Sequence, residues 1–549
     1  MISNIKNWYF IKHIIFLIFL VIGFLIYKDF GFNIDEKFHR SNGFYWLKYI
    51  ANYFNFEKLA LLSDQKLNEI QGFALSDINH FNKYGIIFDV PAAYIEILFK
   101  LNQPHEYYYL RHALVFLYFY LGLFFLYKVL LNRFKKNYLS ILGVILMFIT
   151  PRIFGDSFQN TKDIIFLVFV IISSYFCFKT IDRPTVTNII LFAFFAAAAT
   201  SLRLFGISLI ATYVILQITL VNKINFLNII KRNLILFLSF VISIIVIWPL
   251  LWENPITNFL SYFEILDDYF NAKVYFLGKY YDPNFLPYYY LPFWILISTP
   301  ILHLTLFFFG FFSICKRFFK RYINISKKNI YPDFWRGKNE LKDIFILFNF
   351  LTILIGLMFL NIKLYNSWRV AYFLYFFIIY FCIFSIFIFN FKKNFYKIQK
   401  PLIKILFYLF LVFTSLRLII YHPYQSLYFN ILVPNQIKNN VEVDYTGLSS
   451  IEFLKETLAS NANEEVIKIG VVSWYPIWQM LELIQDKNVK KIKIIEIKEN
   501  DKSNFLYSNR ISDVDKNYNR KYDIPLGFTK LKEKVIDGAI IYEVFRKNK

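Results

Sequence analysis

Phe32-Asn33-Ile34-Asp35-Glu36-Lys37-Phe38-His39-Arg40 sets two adjacent carboxylates just beyond an apolar run from Ile11 to Tyr27. That run is long enough for one membrane crossing of roughly 17–25 residues. Acidic groups at the mouth of a span are costly to hold near lipid, so they point to a functional site. The plainer reading is that Asp35 and Glu36 mark where the chain enters water. The rest of the sequence decides between the two.

Of 549 residues, 57% are hydrophobic and 21% aromatic, and long apolar runs recur along the chain. This is the signature of a polytopic membrane protein. The formal charge of +23 does not indicate nucleic acid, because Lys and Arg fall in short loops between apolar segments. Cys177, Cys315 and Cys382 lie in or beside apolar segments, with no spacing suited to a metal. Tyr27-Lys28-Asp29 follows the first apolar run in place of a small-residue cleavage site, so the run is expected to stay as an anchor.

Further spans are expected near His112–Leu131, Tyr138–Thr150, Ile164–Lys179, Val186–Ser201, Leu204–Val221, Leu234–Trp252, Leu291–Cys315, Ile344–Leu360, Val370–Phe389 and Leu402–Tyr421. With the first, that makes about 11 transmembrane helices. The basic loops Asn132–Asn137, Lys179–Arg183, Lys223–Arg232, Lys316–Lys342 and Lys392–Lys400 face the cytoplasm by the positive-inside rule. Parity then puts the Asp35-Glu36 loop, the polar stretch Asp156–Asp163, the Glu264–Asp268 loop and everything after Tyr421 outside. One face of the membrane is thus expected to collect the carboxylates. Arg203 sits there in almost no loop, where a lipid phosphate would suit it. Gly155–Asp163 reads as a polar stretch lining an aqueous cavity.

Residues 28–111 read as a long structured external loop, with Phe44-Tyr45-Trp46 suited to interfacial helices. Residues 1–422 are expected to form the transmembrane module and 423–549 a small extracytoplasmic α/β domain. Its expected strands are Val466–Val472, Lys491–Ile497 and Gly538–Phe545, and its helix Ser449–Ala459 carries a Ser449-x-x-Glu452 capping box. The aromatics of Tyr288-Tyr289-Tyr290-Leu291-Pro292 suit an interfacial belt. His39, His303 and His422, without matched partners in sequence, read as structural.

Several stretches together resemble one family. Asp35-Glu36, Pro151-Arg152-Ile153-Phe154-Gly155-Asp156-Ser157-Phe158-Gln159-Asn160-Thr161-Lys162-Asp163, Leu286–Pro292, Leu364–Arg369 and His422–Asn430 are similar, in order and membrane side, to motifs of the GT-C glycosyltransferases. The similarity is to the bacterial phospholipid-carrier-dependent branch, related to protein O-mannosyltransferases and the lipid A aminoarabinose transferase. Thr161, Asp156, Asn366 and Val370 depart from that branch, which commonly has Pro, His, Asp and His there.

The resemblance implies an inverting transfer of a sugar from a polyprenyl-phosphate donor to a glycolipid, glycan or protein outside the cytoplasm. It implies a bacterial inner (plasma) membrane location, with the site facing the periplasm or exterior. Asp35 is the expected general base, with Glu36 and Asp163 as further catalytic carboxylates. Lys162, Arg203, Arg369, Asn160 and Tyr289 are the expected substrate-binding residues, the cations meeting the leaving phosphate. Mg²⁺ or Mn²⁺ is compatible with carboxylates of this kind, and relatives differ in metal use. The competing class is a transporter or flippase of lipid-linked glycans. Charged or broken midplane helices in two related halves would favour it, and none is visible in the sequence.

Overall fold

The computed structural model describes residues 2–70, 85–218, 225–267, 273–323, 337–360, 362–391, 400–473, 477–509 and 524–548. Among the described residues, five helices are long and apolar enough to cross a membrane: Pro104–Phe134, Asp163–Asp182, Phe226–Ile247, Ile301–Lys320 and Lys338–Phe359. A sixth candidate is the pair Asn137–Phe148 and Pro151–Gln159, bent by 69°. Shorter apolar helices cover Phe10–Ile26, Val186–Leu202, Leu204–Ile218, Leu374–Phe389 and Ile405–Ile420. The chain reads as an integral membrane protein, but an expected total near eleven is reached only by counting the shorter helices as spans. The span expected over Leu291–Cys315 is divided into Tyr290–Ser298 and Ile301–Ile323. Pro300 lacks the N–H that would carry the helix through.

Three helices form in the described part of the segment expected as a structured loop, of which 71–84 lie outside the described residues. Ile34–Tyr53, Glu57–Glu69 and Asp89–Leu98 pack around Phe44, Leu47, Leu67, Ile70 and Ala93. The helix Pro104–Phe134 follows, with Pro104 in its first turn and the Glu106 carboxylate accepting from the Gln103 N–H at 3.1 Å. Most enclosed is Asp163–Asp182, with 83% of its apolar stretch buried among other helices.

The polar stretch before it departs from expectation. Pro151–Gln159 is a helix with all nine residues buried, so only its end, from Gln159, borders a cavity. Several of its polar groups are engaged, although the buried Gln159 amide has no hydrogen-bond partner among the described residues. Ser157 Oγ donates to the Phe154 carbonyl at 2.6 Å, and Arg152 Nε to the Tyr428 carbonyl at 2.9 Å. Gly155 explains the close fit: a Cβ there would lie 2.6 Å from the Ser426 backbone nitrogen.

Carboxylates also gather at the other end of the bundle, against the expectation that one face collects them. Asp182 ends the helix that Asp163 begins, about 30 Å away at 1.5 Å per residue. Lys342 Nζ reaches Asp182 at 2.6 Å, while Arg133 grips Asp343 through two hydrogen bonds of 2.6 Å. These acids pin the basic loops. Of the loops used for topology, 223–224, 324–336 and 392–399 lie outside the described residues, as does Asp268.

The C-terminal sheet contains β3 (Ile467–Val471), β4 (Ile492–Ile494), β5 (Phe505–Ser508), β6 (Phe528–Ile536) and β7 (Ala539–Lys547), after a two-stranded β1 (Val274–Phe276) and β2 (Lys279–Tyr281). Its order is β4-β3-β5-β7-β6, with β3 parallel to β4 and β5, and β7 antiparallel to β5 and β6. The strands β3 and β7 match the sequence reading, β4 is shorter, and β5 and β6 were not anticipated. The Ser449 capping box does not form. Asp444 instead accepts from the N–H groups of Leu448 and Ser449 at 2.8 and 3.0 Å, and Glu452 pairs with Lys534 at 2.5 Å.

Candidate active site

Asn33 starts the helix Ile34–Tyr53. Its side chain accepts from the Asp35 N–H at 3.0 Å, and its own N–H donates to Glu36 at 2.8 Å. This capping box turns the two adjacent carboxylates in different directions. Glu36, 1% exposed, points inward to His112, with Oε2 3.0 Å from Nε2. Asp35 points into a cavity and meets Arg369 Nη1 at 2.5 Å, its side chain still 41% exposed. The expected catalytic role of Glu36 is therefore not supported by its position: it is spent on the cap and on His112.

The cavity is lined by Asn33, Asp35, Phe38 and His39 from one side, by Gln159 to Asp163 from another, and by Arg203, Tyr365 and Arg369. Asn160 orders the second side. Its Oδ1 accepts from the Asp163 N–H at 2.8 Å, and its Nδ2 donates to Asp156 and Asp163 at 3.1 Å each. Arg203 Nε donates to Asp163 Oδ1 at 2.9 Å, and Nη2 closes on the same oxygen. Asp163 thus orients a guanidinium. Lys162 borders the same cavity, and burial, with the nearby Arg203 charge, holds its pKa well below the usual lysine value.

Arg369 is positioned by a strained turn. Asn366 and Ser367 have φ of 53° and 59°, a left-handed conformation that non-glycine residues rarely adopt. Three partners converge to hold Ser367. Its N–H donates to Glu442 at 3.1 Å, its carbonyl accepts from the Tyr290 hydroxyl at 2.9 Å, and its Oγ accepts from Arg152 Nη1 at 3.2 Å. Strain of about 1–3 kcal/mol per residue persists where such surroundings over-determine it. The Arg369 guanidinium lies near the Tyr365 and Tyr445 rings, 5.4 and 5.8 Å from their centroids, and its buried Nε–H has no hydrogen-bond acceptor among the described residues.

Of the sequence candidates, Asp35, Asp163, Lys162, Arg203, Arg369 and Asn160 come together here. Tyr289 does not: it is 41% exposed and packs near Tyr288 and Phe276. Tyr290, one residue on, is the one tied to the Arg369 turn. His39, read from sequence as structural, lines the cavity, whereas His303 meets Thr150 and His422 meets Asp29. Sequence reading also missed Glu442, Asp444 and Tyr445, which come from the C-terminal segment. Burial raises the Glu442 and Asp444 carboxyls to about 7.

A metal does not fit this arrangement. Both cavity carboxylates already face guanidinium groups, and among the described residues no three His, Cys, Asp or Glu side chains are grouped to hold an ion. The cavity is about 50 Å³, room for a few waters rather than a sugar. A larger cavity of about 900 Å³ lies between Tyr27, Lys28 and Tyr109 on one side and Leu483 to Asp486 on the other. The charges that could meet a phosphate converge in the smaller one.

No family model matches the chain, and no curated protein matches it. Among solved structures, the fold is similar to the crystal structure of ArnT from Cupriavidus metallidurans bound to undecaprenyl phosphate. That alignment has a TM-score of 0.47 and 10% sequence identity, and covers 97% of this chain and 98% of that chain.

Proposed function

We propose that the chain is a membrane glycosyltransferase that moves a sugar from a polyprenyl-phosphate donor to a hydroxyl acceptor outside the cytoplasm. The observation that carries this reading is the meeting of Asp35 and Asp163 with Lys162, Arg203 and Arg369 around one cavity. A hydroxyl is a poor nucleophile until a base draws off its proton, and Asp35 is the most exposed of the two carboxylates. A phosphate leaving group needs cations, and Arg203 and Arg369 offer guanidinium forks, with Lys162 beside them as a point charge. Asp163 and Asn160 hold Arg203 and Lys162 in place.

Attack by the acceptor from the face opposite the phosphate inverts the anomeric carbon. Room for a sugar requires the cavity to open, and the donor phosphate competes with Asp35 for Arg369, leaving the carboxylate able to take a proton. The motif resemblance supports the lipid carrier as donor. Residues 423–549 then form an external domain that supplies Glu442 behind the Arg369 turn.

The test is sugar transfer from a polyprenyl-phosphate donor by the purified protein in liposomes, with mass spectrometry of envelope glycolipids from cells with and without the gene to identify the acceptor. Reporters fused after Tyr421 and within Lys316–Lys342 are expected to be active on opposite sides of the membrane. Glycan movement without any covalent transfer would instead support the transporter reading.

A further inference from the structure

The cavity of about 900 Å³ lies where the first apolar helix, Ile2–Ile26, the N-terminal end of Pro104–Phe134 and the C-terminal domain meet. Tyr27 and Lys28 enter it directly after the first helix, and Glu106, Tyr109 and Leu110 from the first two turns of the second. Lys455 and Leu483 to Asp486 close it from the domain. The Tyr27 and Tyr109 rings stand edge to face, with centroids 6.4 Å apart and an interplanar angle of 84°. With Leu110, Leu483 and Ile484 they give the cavity an apolar side. Leu25 and Phe24, at the end of the first helix, are 73% and 45% exposed, so the cavity adjoins a surface suited to lipid.

Charges of both signs line this cavity without pairing with one another. Glu106 is held by its helix cap: Oε2 accepts from the N–H groups of Asn102 and Gln103 at 3.2 and 3.1 Å, which leaves Oε1 as an acceptor. Asp486 caps the short helix after it in the same way, with Oδ1 accepting from the Asn488 N–H at 2.8 Å and Oδ2 left over. Lys28 Nζ lies 5.5 Å from the Tyr27 ring centroid, and neither Lys28 nor Lys455 forms an ion pair among the described residues. Two ammonium groups and two half-used carboxylates around one space suit a ligand that itself carries both signs.

We propose that this cavity binds the head group of a zwitterionic aminophospholipid of the membrane, its phosphate on Lys28 and Lys455 and its ammonium on Glu106 and Asp486. The site is independent of sugar transfer. Lysines meet phosphate oxygens as point charges, without a fixed geometry. A primary ammonium brings three N–H donors for the carboxylate oxygens left over, and it can also lie against a tyrosine face. The glycerol and first acyl carbons meet Leu110, Leu483 and Ile484, and the chains continue along Leu25 and Phe24. Such a lipid bridges two parts of the protein, since Lys28 belongs to the membrane module and Lys455 to the C-terminal domain. The bridge extends toward the candidate active site through Ile477–Leu483, which runs into the cavity wall. There Met480 Sδ accepts from the Phe32 N–H at 3.3 Å and Glu482 pairs with Lys37 at 3.2 Å, contacts that flank Asp35 in the chain.

The experiment measures lipid retention by the full chain in detergent, by native mass spectrometry and thermal unfolding, with phosphatidylethanolamine, phosphatidylglycerol and inorganic phosphate as separate probes. Phosphatidylethanolamine is expected to bind best and to raise the unfolding temperature, while inorganic phosphate changes neither reading. Lys28→Gln combined with Lys455→Gln should weaken retention of both lipids by roughly 10-fold, the scale of a hydrogen bond to a charged group. Glu106→Gln and Asp486→Asn keep their caps, because Gln and Asn serve in those places, but remove the charge. They should therefore fold normally and lose the preference for ethanolamine over glycerol head groups. Phosphatidylglycerol bound by the wild type as tightly as phosphatidylethanolamine overturns the proposal, and so does an unchanged preference in the two carboxylate variants. Undiminished retention in the lysine variant overturns it by placing the lipid elsewhere on the surface. Displacement of the lipid by inorganic phosphate at equal concentration overturns it in favour of a free anion.

Discussion

Asp35 and Arg369 are 334 residues apart in the chain, yet their side chains meet at 2.5 Å across the candidate cavity. The guanidinium is 7% exposed and the carboxylate 41%, so one partner is fixed inside the protein and the other faces the opening. Asp35→Asn keeps the shape but removes the base, and sugar transfer should slow by roughly 10²–10⁴-fold with donor binding retained. Screening limits the stability cost to about 1 kcal/mol. Glu36→Gln should show the reverse pattern, losing stability by disturbing the buried His112 pair while the chemical step persists. Transfer rates and thermal unfolding of both variants check this.

Removing Arg203 has two consequences, because the residue pairs with a carboxylate that is 4% exposed. Arg203→Ala should weaken donor binding and also destabilise the fold, since breaking a buried pair costs about 3–5 kcal/mol. Arg203→Lys should recover most of the stability but less of the donor affinity, as an ammonium lacks the planar fork. Unfolding in detergent and donor titration separate the two effects. Undiminished donor affinity in Arg203→Ala would reduce the residue to a partner of Asp163.

Donor binding should take up a proton at Lys162. Burial and Arg203 hold the pKa of this lysine well below its ordinary value, and an arriving phosphate favours the charged form. Donor affinity should therefore fall as pH rises through the lowered lysine pKa. Calorimetry in two buffers of different ionisation enthalpy measures the proton uptake, and Lys162→Met should abolish it.

Glu442 sets a pH dependence of stability with a definite sign. Burial raises its carboxyl from the ordinary 4.5 to about 7, so between those values the folded chain holds a proton that the unfolded chain releases. This contribution is full below about pH 4.5 and is lost as pH rises through about 7. Glu442→Gln retains an acceptor for the Ser367 N–H and removes the titration. Its apparent melting temperature should exceed that of the wild type at pH 8, and the gap should close toward pH 5.

Membrane insertion is written in the chain's apolar runs, and several residues of the cavity are recognisable there too. Long apolar runs read directly because each satisfies its backbone internally and meets lipid with its own side chains, so their signal is local. Asp35 was legible from its place just past an apolar run, while Asn160, Lys162 and Asp163 were legible through the motif resemblance of the stretch that holds them. Tertiary structure decided what sequence spacing could not. It turned Glu36 toward His112 and Asp35 toward Arg369, through a capping box that gives neighbouring residues opposite surroundings. It tied Tyr290 rather than Tyr289 to the Arg369 turn, and brought His39 to the cavity wall. Glu442 entered from the C-terminal segment by the same kind of long-range contact. Pairing, burial and the shifts that follow depend on which distant segments come within a few ångströms, and the linear chain does not specify those distances.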